Sequence, residues 1–332
     1  MKTICIIIPY FGHFNNYFPL FLISCKNNPT VNWLVFTDDK EEYNWPPNVK
    51  VVYTTLDDIR LRVQHLFPFK ISLKKPYKLC DYKPAYGLIF EKELEGFDFW
   101  GHCDTDMIIG NIRHFVTDSV LENDKVFSRG HFTLYRNNKQ MNSYFQNQNY
   151  ISYQEVFTSD SSYAFDEWGG VSKAAEIDGI ECYDELVMDD IWTNADGFIP
   201  TKRFSGPVSP YHKNNIDISN EYRRMRYIVY QYNKGCLSRV WLRKNLIHTE
   251  EVLYVHFQKR SMEMTLEVDD LLSKYTIAKD CFIPYQDISK KNIKSIAGPY
   301  YSAHNVCLLV QRFAYSTYVK YIKSIIKGRK KS

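Results

Sequence analysis

The apolar run Ile4–Pro9 is continuous and rich in β-branched residues, the pattern of a strand buried on both faces of a parallel sheet. Tyr10-Phe11-Gly12 breaks it. Phe18–Ser24 then shows the apolar face of a helix. Asn32–Thr37 predicts a second strand ended by Asp38-Asp39, and Val49–Thr54 a third after Pro46-Pro47. Cys80–Glu93 has helical spacing, with Tyr86, Ile89 and Phe90 on one side, Leu94 just beyond, and Pro84 best placed in the first turn. Phe97–Cys103 is an aromatic strand running into Asp104-Thr105-Asp106. Lys125–Tyr135 reads as a strand pair or one bent strand, Val252–Phe257 as a late strand, and Leu308–Lys331 as a terminal helix. Residues 140–200, rich in Tyr, Asn, Ser and Asp, read as a loop-heavy insertion. Strands alternating with helical stretches give an α/β class with a mixed, mainly parallel sheet flanked by helices.

A chain of 332 residues with 45% hydrophobic content can bury one large core or two small ones, which excludes collagenous, coiled-coil and disordered classes. Its eight cysteines contain no C-x-x-C pair. That spacing opposes a zinc ribbon or a disulfide framework and fits reduced thiols in a cytosolic protein. Ile4–Ile8, cut short by Pro9, is too short for a signal-peptide core. No window approaches about 18 consecutive apolar residues, the length of a spanning helix.

Charge changes the picture at one end. The formal net charge is +4, but the last acidic residue is Asp287. Residues 288–332 carry +10 and residues 1–287 carry −6, which argues against a nucleic-acid-binding body. At about 100° per residue, Tyr318, Tyr321, Ile322, Ile325 and Ile326 share one helical face. Lys320, Lys323, Lys327, Lys330 and Lys331 share the opposite one. A basic amphipathic helix fits an anionic membrane surface; the alternative is a helix docked on the body with its lysines in water. The expected location is cytoplasmic, peripherally on the inner face of the cytoplasmic membrane.

The strongest chemical signal is Asp104-Thr105-Asp106. Two carboxylates where a strand leaves the sheet can share Mg²⁺ or Mn²⁺, which neutralises a diphosphate leaving group. A lone D-x-D is more often a solvated loop, but this one is flanked by FDFWGHC and MIIG, both apolar. Carboxylates held that close to a core repel one another and need a partner. His256 in VLYVHFQKR could be a third ligand, with Lys259 and Arg260 beyond it suited to phosphate oxygens. Read alone, His256 is better taken as a strand-end histidine with basic surface neighbours.

These features resemble the GT-A glycosyltransferases. CIIIPYFG, FTDD, the D-x-D and the late H-F-x-x-K follow that family's order, and KLCDYKPAYG, FDFWGHCDTDMIIGNI, FSRGHFTLYRN, FDEWGG and VHFQKR resemble uncharacterised bacterial members from capsule and lipopolysaccharide gene clusters. Phe257-Gln258 stands where the retaining families with H-x-G-x-x-K-P-W have x-Gly. The resemblance implies a GT-A catalytic domain over residues 1–265, with 140–200 on the acceptor side, and a C-terminal helical region over 266–332. It implies transfer of a hexose from a nucleotide diphosphate sugar, a UDP-sugar foremost, to a glycan or glycolipid acceptor, with Mn²⁺ or Mg²⁺ held by Asp104, Asp106 and His256.

The same resemblance puts Pro9, Tyr10 and Gly12 beside the nucleotide and Thr37, Asp38 and Asp39 at the base or ribose. Asp38-Asp39 is equally a turn or a cap. Thr105 would lie with the donor. Lys78, Asp81 and Lys83 could meet the diphosphate or a sugar hydroxyl, or be a capping Asp with solvated lysines. His131 could face the acceptor, with Arg129 at phosphate and Arg136-Asn137 at hydroxyls; the alternative is an ordinary edge strand. Asp166 or Glu167 could be the general base of an inverting enzyme. Trp168 could stack on sugar and the adjacent glycines could admit a ligand, against a turn anchored by a buried Trp. Two rival functions share part of this pattern. A sugar nucleotidyltransferase would carry a Gly-rich basic loop after its first strand, and PYFGHFNN has one Gly and no Lys or Arg. A non-catalytic carbohydrate-binding protein would leave the acidic and histidine residues without a purpose.

Overall fold

The computed structural model describes residues 1–147, 151–167, 170–192, 195–201, 221–222, 224–269 and 271–299. The expected terminal helix, Trp168 and Gly169 lie outside them. The first sheet holds β1 (Ile4–Tyr10), β2 (Val31–Thr37), β3 (Val49–Tyr53), β4 (Phe99–Cys103), β6 (Lys125–Arg129), β7 (Phe132–Arg136) and β8 (Cys182–Tyr183). Their order is β3-β2-β1-β4-β7-β6-β8. The pairs from β3 to β4 are parallel, and β7 runs antiparallel to β4 and β6. This is the mixed, mainly parallel sheet expected from the apolar runs.

Side chains alternate across it with period two. Ile4, Ile6 and Ile8 enter one buried cluster together with Phe18, Phe21 and Leu22 of helix α1 (Phe18–Lys26). Cys5 and Ile7 enter the opposite cluster, with Ile59 and Val63 of helix α2 (Leu56–Gln64). Burying each large apolar side chain contributes about 1.5–3 kcal/mol, so this two-sided burial fixes the strand register.

Three expectations are corrected. Cys80–Glu93 is not one α-helix: a 3₁₀ segment, Pro76–Ala85, precedes one α-turn at Tyr86–Ile89 and a second 3₁₀ turn at Glu91–Leu94. Pro84 sits inside the 3₁₀ segment, where its missing N–H and its ring exclude an α-helical bond to Cys80. Second, the chain after 220 builds a mainly antiparallel sheet that the apolar pattern did not announce. It contains β10 (Arg226–Asn233), β11 (Cys236–Arg243), β12 (Leu246–Glu251), β14 (Glu263–Met264), β15 (Lys274–Ile277) and β16 (Cys281–Pro284) in the order β12-β11-β10-β15-β16-β14, with β14 parallel to β16. Third, the described residues beyond 265 are therefore strand in part, with one short helix among them, Ile293–Ala297. The 140–200 region carries short helices at Tyr153–Thr158 and Val171–Ile177.

A small third sheet, β5 (Met107–Ile109), β13 (Tyr254–His256) and β9 (Asp189–Asp190), in the order β5-β13-β9, joins these parts. No helix among the described residues is long and apolar enough to cross a membrane. The seven described cysteines are all free thiols.

The central strand leaves no room at Gly101. A Cβ there would lie 2.5 Å from both the Thr133 carbonyl oxygen and Leu134 Cδ2 on β7. A backbone atom in a paired strand cannot step aside cheaply, so Gly101→Ala is expected to lower stability by about 1–3 kcal/mol. Urea unfolding of the two proteins checks this, and equal midpoints would refute it.

Candidate active site

β1, β2 and β4 run parallel, so their carboxyl ends share one edge, where open α/β sheets place ligands. Tyr10 ends β1, Thr37 ends β2, and Asp104 follows β4 directly. At this edge lies a cavity of about 1100 Å³. The candidates that line it include Pro9, Tyr10, Lys83, Asp104, Thr105, Asp106, Arg129, His131, Asp166, Glu167, His256, Lys259 and Arg260.

The third sheet brings the acidic pair to the histidine. β5 pairs antiparallel with β13, setting Met107 opposite His256 and placing Asp106 beside the imidazole. His256 Nε2 lies 3.2 Å from Asp106 Oδ1 and 3.6 Å from Asp104 Oδ2. Ligand atoms of the three residues all fall within 4.8 Å of one another. Phe257 N donates to the Asp106 carbonyl at 2.9 Å, and Lys259 N donates to the Asp106 carboxylate at 2.6 Å. That second bond requires the left-handed backbone of Gln258 and Lys259, at φ 50° and 62°. Burial pushes the Asp106 carboxyl up, but the His256 and backbone hydrogen bonds prevail and hold it at about 2. Burial opposes the His256 charge, and Asp106 and Asp190 overcome it, raising the imidazole to about 10.

Lys83 is the second centre. Its Nζ donates to Asp104 Oδ1 and to the Gly130 carbonyl, both at 2.7 Å, and lies 3.1 Å from Asp166 Oδ2. Burial disfavours its charge, yet the two carboxylates hold it protonated, well above the usual lysine range. Gly130 admits this approach: a Cβ there would stand 2.7 Å from Asp166 Oδ2. Asp166 is buried and Glu167 is exposed.

Several candidates have other duties. Lys78 Nζ donates to Asp81 Oδ2 at 2.7 Å and to the carbonyls of Val156 and Ser161 at 2.9 and 2.6 Å. Asp81 also accepts from the backbone N–H groups of Tyr163 and Phe165. Neither residue lines the cavity; the pair clasps the segment that leads to Asp166. Thr37 is buried and accepts from Asp39 N at 3.1 Å. Gly12, at φ +100°, donates its N–H to Asp38 Oδ1 at 2.7 Å. These two line a smaller recess of about 480 Å³ that shares His13 with the main cavity. His131 shares a 2.8 Å hydrogen bond with the Tyr254 hydroxyl and stacks on His256 at 4.5 Å. Burial, then the His256 charge, hold His131 well below the usual imidazole range, so it is neutral. Arg136 pairs with Asp124, and Asn137 donates to the Leu94 and Phe97 carbonyls, which leaves both to brace the strand. Gly170 admits backbone, not ligand: its Cβ would meet the Phe165 carbonyl oxygen.

The sequence matches, over residues 6–286, a family described as a family of unknown function (DUF6625). The chain belongs to this family. No curated protein matches it. The DUF6625 chain is similar to the crystal structure of galactosyltransferase LgtC in complex with donor and acceptor sugar analogs, at 11% identity over 76% of this chain and 87% of that one, with a TM-score of 0.38. It is also similar to the apo form of the glycosyltransferase GlyE of Streptococcus pneumoniae TIGR4, at 13% identity over 91% of this chain and 66% of that one, with a TM-score of 0.35.

One residue of the DUF6625 site escaped the reading of its sequence. Asp190 Oδ1 lies 2.8 Å from His256 Nδ1, and Asp190 lines the cavity. Met188-Asp189-Asp190-Ile191 carries the same signal as the D-x-D, carboxylates between apolar residues, but inside a stretch that otherwise looks like loop.

Burial, the largest influence, lifts the Asp166 carboxyl from 3.8 to about 6, with Lys83 opposing and Asp104 adding to the rise. Between those values the native state holds a proton that the unfolded chain has released. The contribution to stability is thus full below about pH 3.8, falls as pH rises through about 6, and is flat above. Asp166→Asn removes this dependence. Denaturation of both proteins at about pH 4 and pH 7 is expected to show the variant gaining on the wild type at the higher pH; a difference that does not change with pH refutes the assignment.

Proposed function

We propose that this protein is a GT-A type, metal-dependent glycosyltransferase that moves a hexose from a nucleotide diphosphate sugar to a glycan or glycolipid acceptor. A UDP-sugar is the leading donor, and a lipid-linked oligosaccharide, lipopolysaccharide or capsule chain the leading acceptor. The observation that carries this reading is the convergence of Asp104, Asp106 and His256 at the carboxyl edge of a parallel sheet, on the wall of one large cavity. Two carboxylates and an imidazole fit Mn²⁺ or Mg²⁺ in donor type. When bound, such an ion supplies Lewis-acid neutralisation of a diphosphate leaving group.

The remaining roles follow from the chain's own groups. Pro9 and Tyr10 would flank the nucleotide, with Gly12 and Asp38 in the adjoining recess for base or ribose. The exposed Lys259 side chain, now over the Tyr77 ring at 4.2 Å, would turn to phosphate oxygens. Asp166 would hold Lys83 in place. Glu167, exposed on the cavity wall, would take the acceptor hydroxyl proton in an inverting reaction. Partial desolvation by the cavity wall, the leading influence, raises its carboxyl above the ordinary value, which strengthens it as a base. The basic face of residues 308–332 would keep the enzyme at an anionic membrane surface, where lipid-linked acceptors lie.

Release of free nucleotide from a panel of nucleotide sugars with Mn²⁺ tests the reaction. Turnover of at least one donor with an acceptor glycan is expected, and Asp106→Ala should abolish metal-dependent donor binding. No release or binding with any donor overturns the reading. Glu167→Gln is expected to lower kcat by about 10²–10⁴ with donor binding retained; an unchanged kcat removes Glu167 as the base. Co-sedimentation with anionic liposomes should be lost on truncating residues 308–332, and equal sedimentation of the truncated chain refutes the anchor.

A further inference from the structure

β9 contributes two consecutive carboxylates that face different surroundings. Asp189 is fully buried beneath the second sheet. Arg239 Nη1 on β11 lies 2.7 Å from both of its oxygens. The Tyr222 and Tyr230 hydroxyls donate to the same carboxylate at 2.9 and 2.8 Å. Arg239 Nη2 continues to Glu250 Oε2 at 2.5 Å on β12. Asp189 thus fixes β9 to the second sheet through charge-assisted hydrogen bonds.

Asp190 is next in the chain, so its side chain leaves the opposite face. β9 runs parallel to β13 with Asp190 in register with His256. Asp190 Oδ1 takes His256 Nδ1 at 2.8 Å, while Oδ2 accepts from Gln258 Nε2 at 2.5 Å and Thr201 Oγ1 at 3.1 Å. An ionised carboxylate only accepts hydrogen bonds. The proton at that contact therefore sits on Nδ1 in either charge state of the ring, and in the neutral ring the lone pair is on Nε2, the nitrogen turned to Asp104 and Asp106. His131, stacked on the ring at 4.5 Å, limits its rotation.

We propose that Asp190 is a positioning residue that fixes the tautomer and orientation of His256 for a divalent cation, and that the Asp189–Arg239 pair anchors Asp190 from the second sheet. This rests on the metal-binding reading of Asp104, Asp106 and His256. The second sheet then has a part in the site although none of its strands lines the cavity: it holds the strand that orients the ligand. Partners of this kind, which hydrogen-bond the far nitrogen of a ligating histidine, contribute about 10–100-fold in metal affinity.

The test uses the full chain and two readouts. Titration with Mn²⁺ alone, followed by electron paramagnetic resonance, gives the affinity. Long-range ¹H–¹⁵N correlation of the histidine rings, without metal, gives the protonation of each His256 nitrogen and its hydrogen-bonded Nδ1 proton. Asp190→Ala is expected to weaken Mn²⁺ binding by about 10–100-fold and to remove the hydrogen-bonded Nδ1 proton signal. Asp190→Asn, which keeps an acceptor oxygen, should rescue part of both. Arg239→Lys, with unchanged circular dichroism, should move both readouts in the same direction by less. Wild-type affinity and an unchanged His256 signal in Asp190→Ala overturn the positioning role, and the same result in Arg239→Lys overturns the anchor. A wild-type protein that binds no Mn²⁺ overturns both the metal reading and the metal-orienting part of this proposal. An Nδ1 signal lost in Asp190→Ala would then still support the Asp190–His256 hydrogen bond and its hold on the ring alone.

Discussion

Charge compensation at the sheet edge is the constraint on which the site depends. Asp104, Asp106, Asp166 and Asp190 meet two largely buried cations, Lys83 and His256, and each cation stands between two carboxylates. A charge taken out of water is tolerated only with such partners, and deleting one partner leaves the other exposed to the full desolvation cost. Lys83 separates Asp104 from Asp166, while His256 separates Asp106 from Asp190. Four carboxylates can then share one wall of a cavity without forcing the sheet edge apart.

Backbone geometry makes the pairing possible. Pro84, inside Pro76–Ala85, disfavours an α-helix, and the resulting 3₁₀ path delivers Lys83 to β4 while Lys78 and Asp81 clasp residues 161–165. That clasp presents Asp166 to Lys83 from the other side. At the far wall, two left-handed residues after β13 turn the Lys259 N–H back onto Asp106. The strain of non-glycine residues in that region is offset by a charge-assisted hydrogen bond.

The first sheet was legible because strands buried on both faces must be nearly continuous apolar runs, as Ile4–Pro9 and Asn32–Thr37 are. Asp104 and Asp106 were legible for the same reason: carboxylates bounded by buried residues stand out. The second sheet was not. Its strands mix Tyr, Gln and Arg with Val and Leu, and its two tight hairpins turn through Lys234-Gly235 and Lys244-Asn245, all four with positive φ. Lys-Gly and Lys-Asn are weaker hairpin signals than Asn-Gly. Lys78 and Asp81 misled because a three-residue spacing fits both a phosphate site and a buried ion pair, and only burial distinguishes them. Asp190 was hidden because its partner, His256, lies 66 residues away and the register that joins them belongs to a parallel bridge of two residues.

The carboxylate pair Asp166-Glu167 shows why position within a motif matters more than the motif. A general base must reach its substrate and must have a free lone pair at the moment of transfer. Asp166 is buried with an oxygen committed to Lys83. Taking up a proton there would weaken the link that also steadies Asp104, so proton exchange at Asp166 would disturb Asp104 each time it occurred. Glu167 lies on the cavity wall and is exposed, one residue from the buried anchor. The pair is thereby divided, with Asp166 holding the lysine and Glu167 left available to exchange a proton.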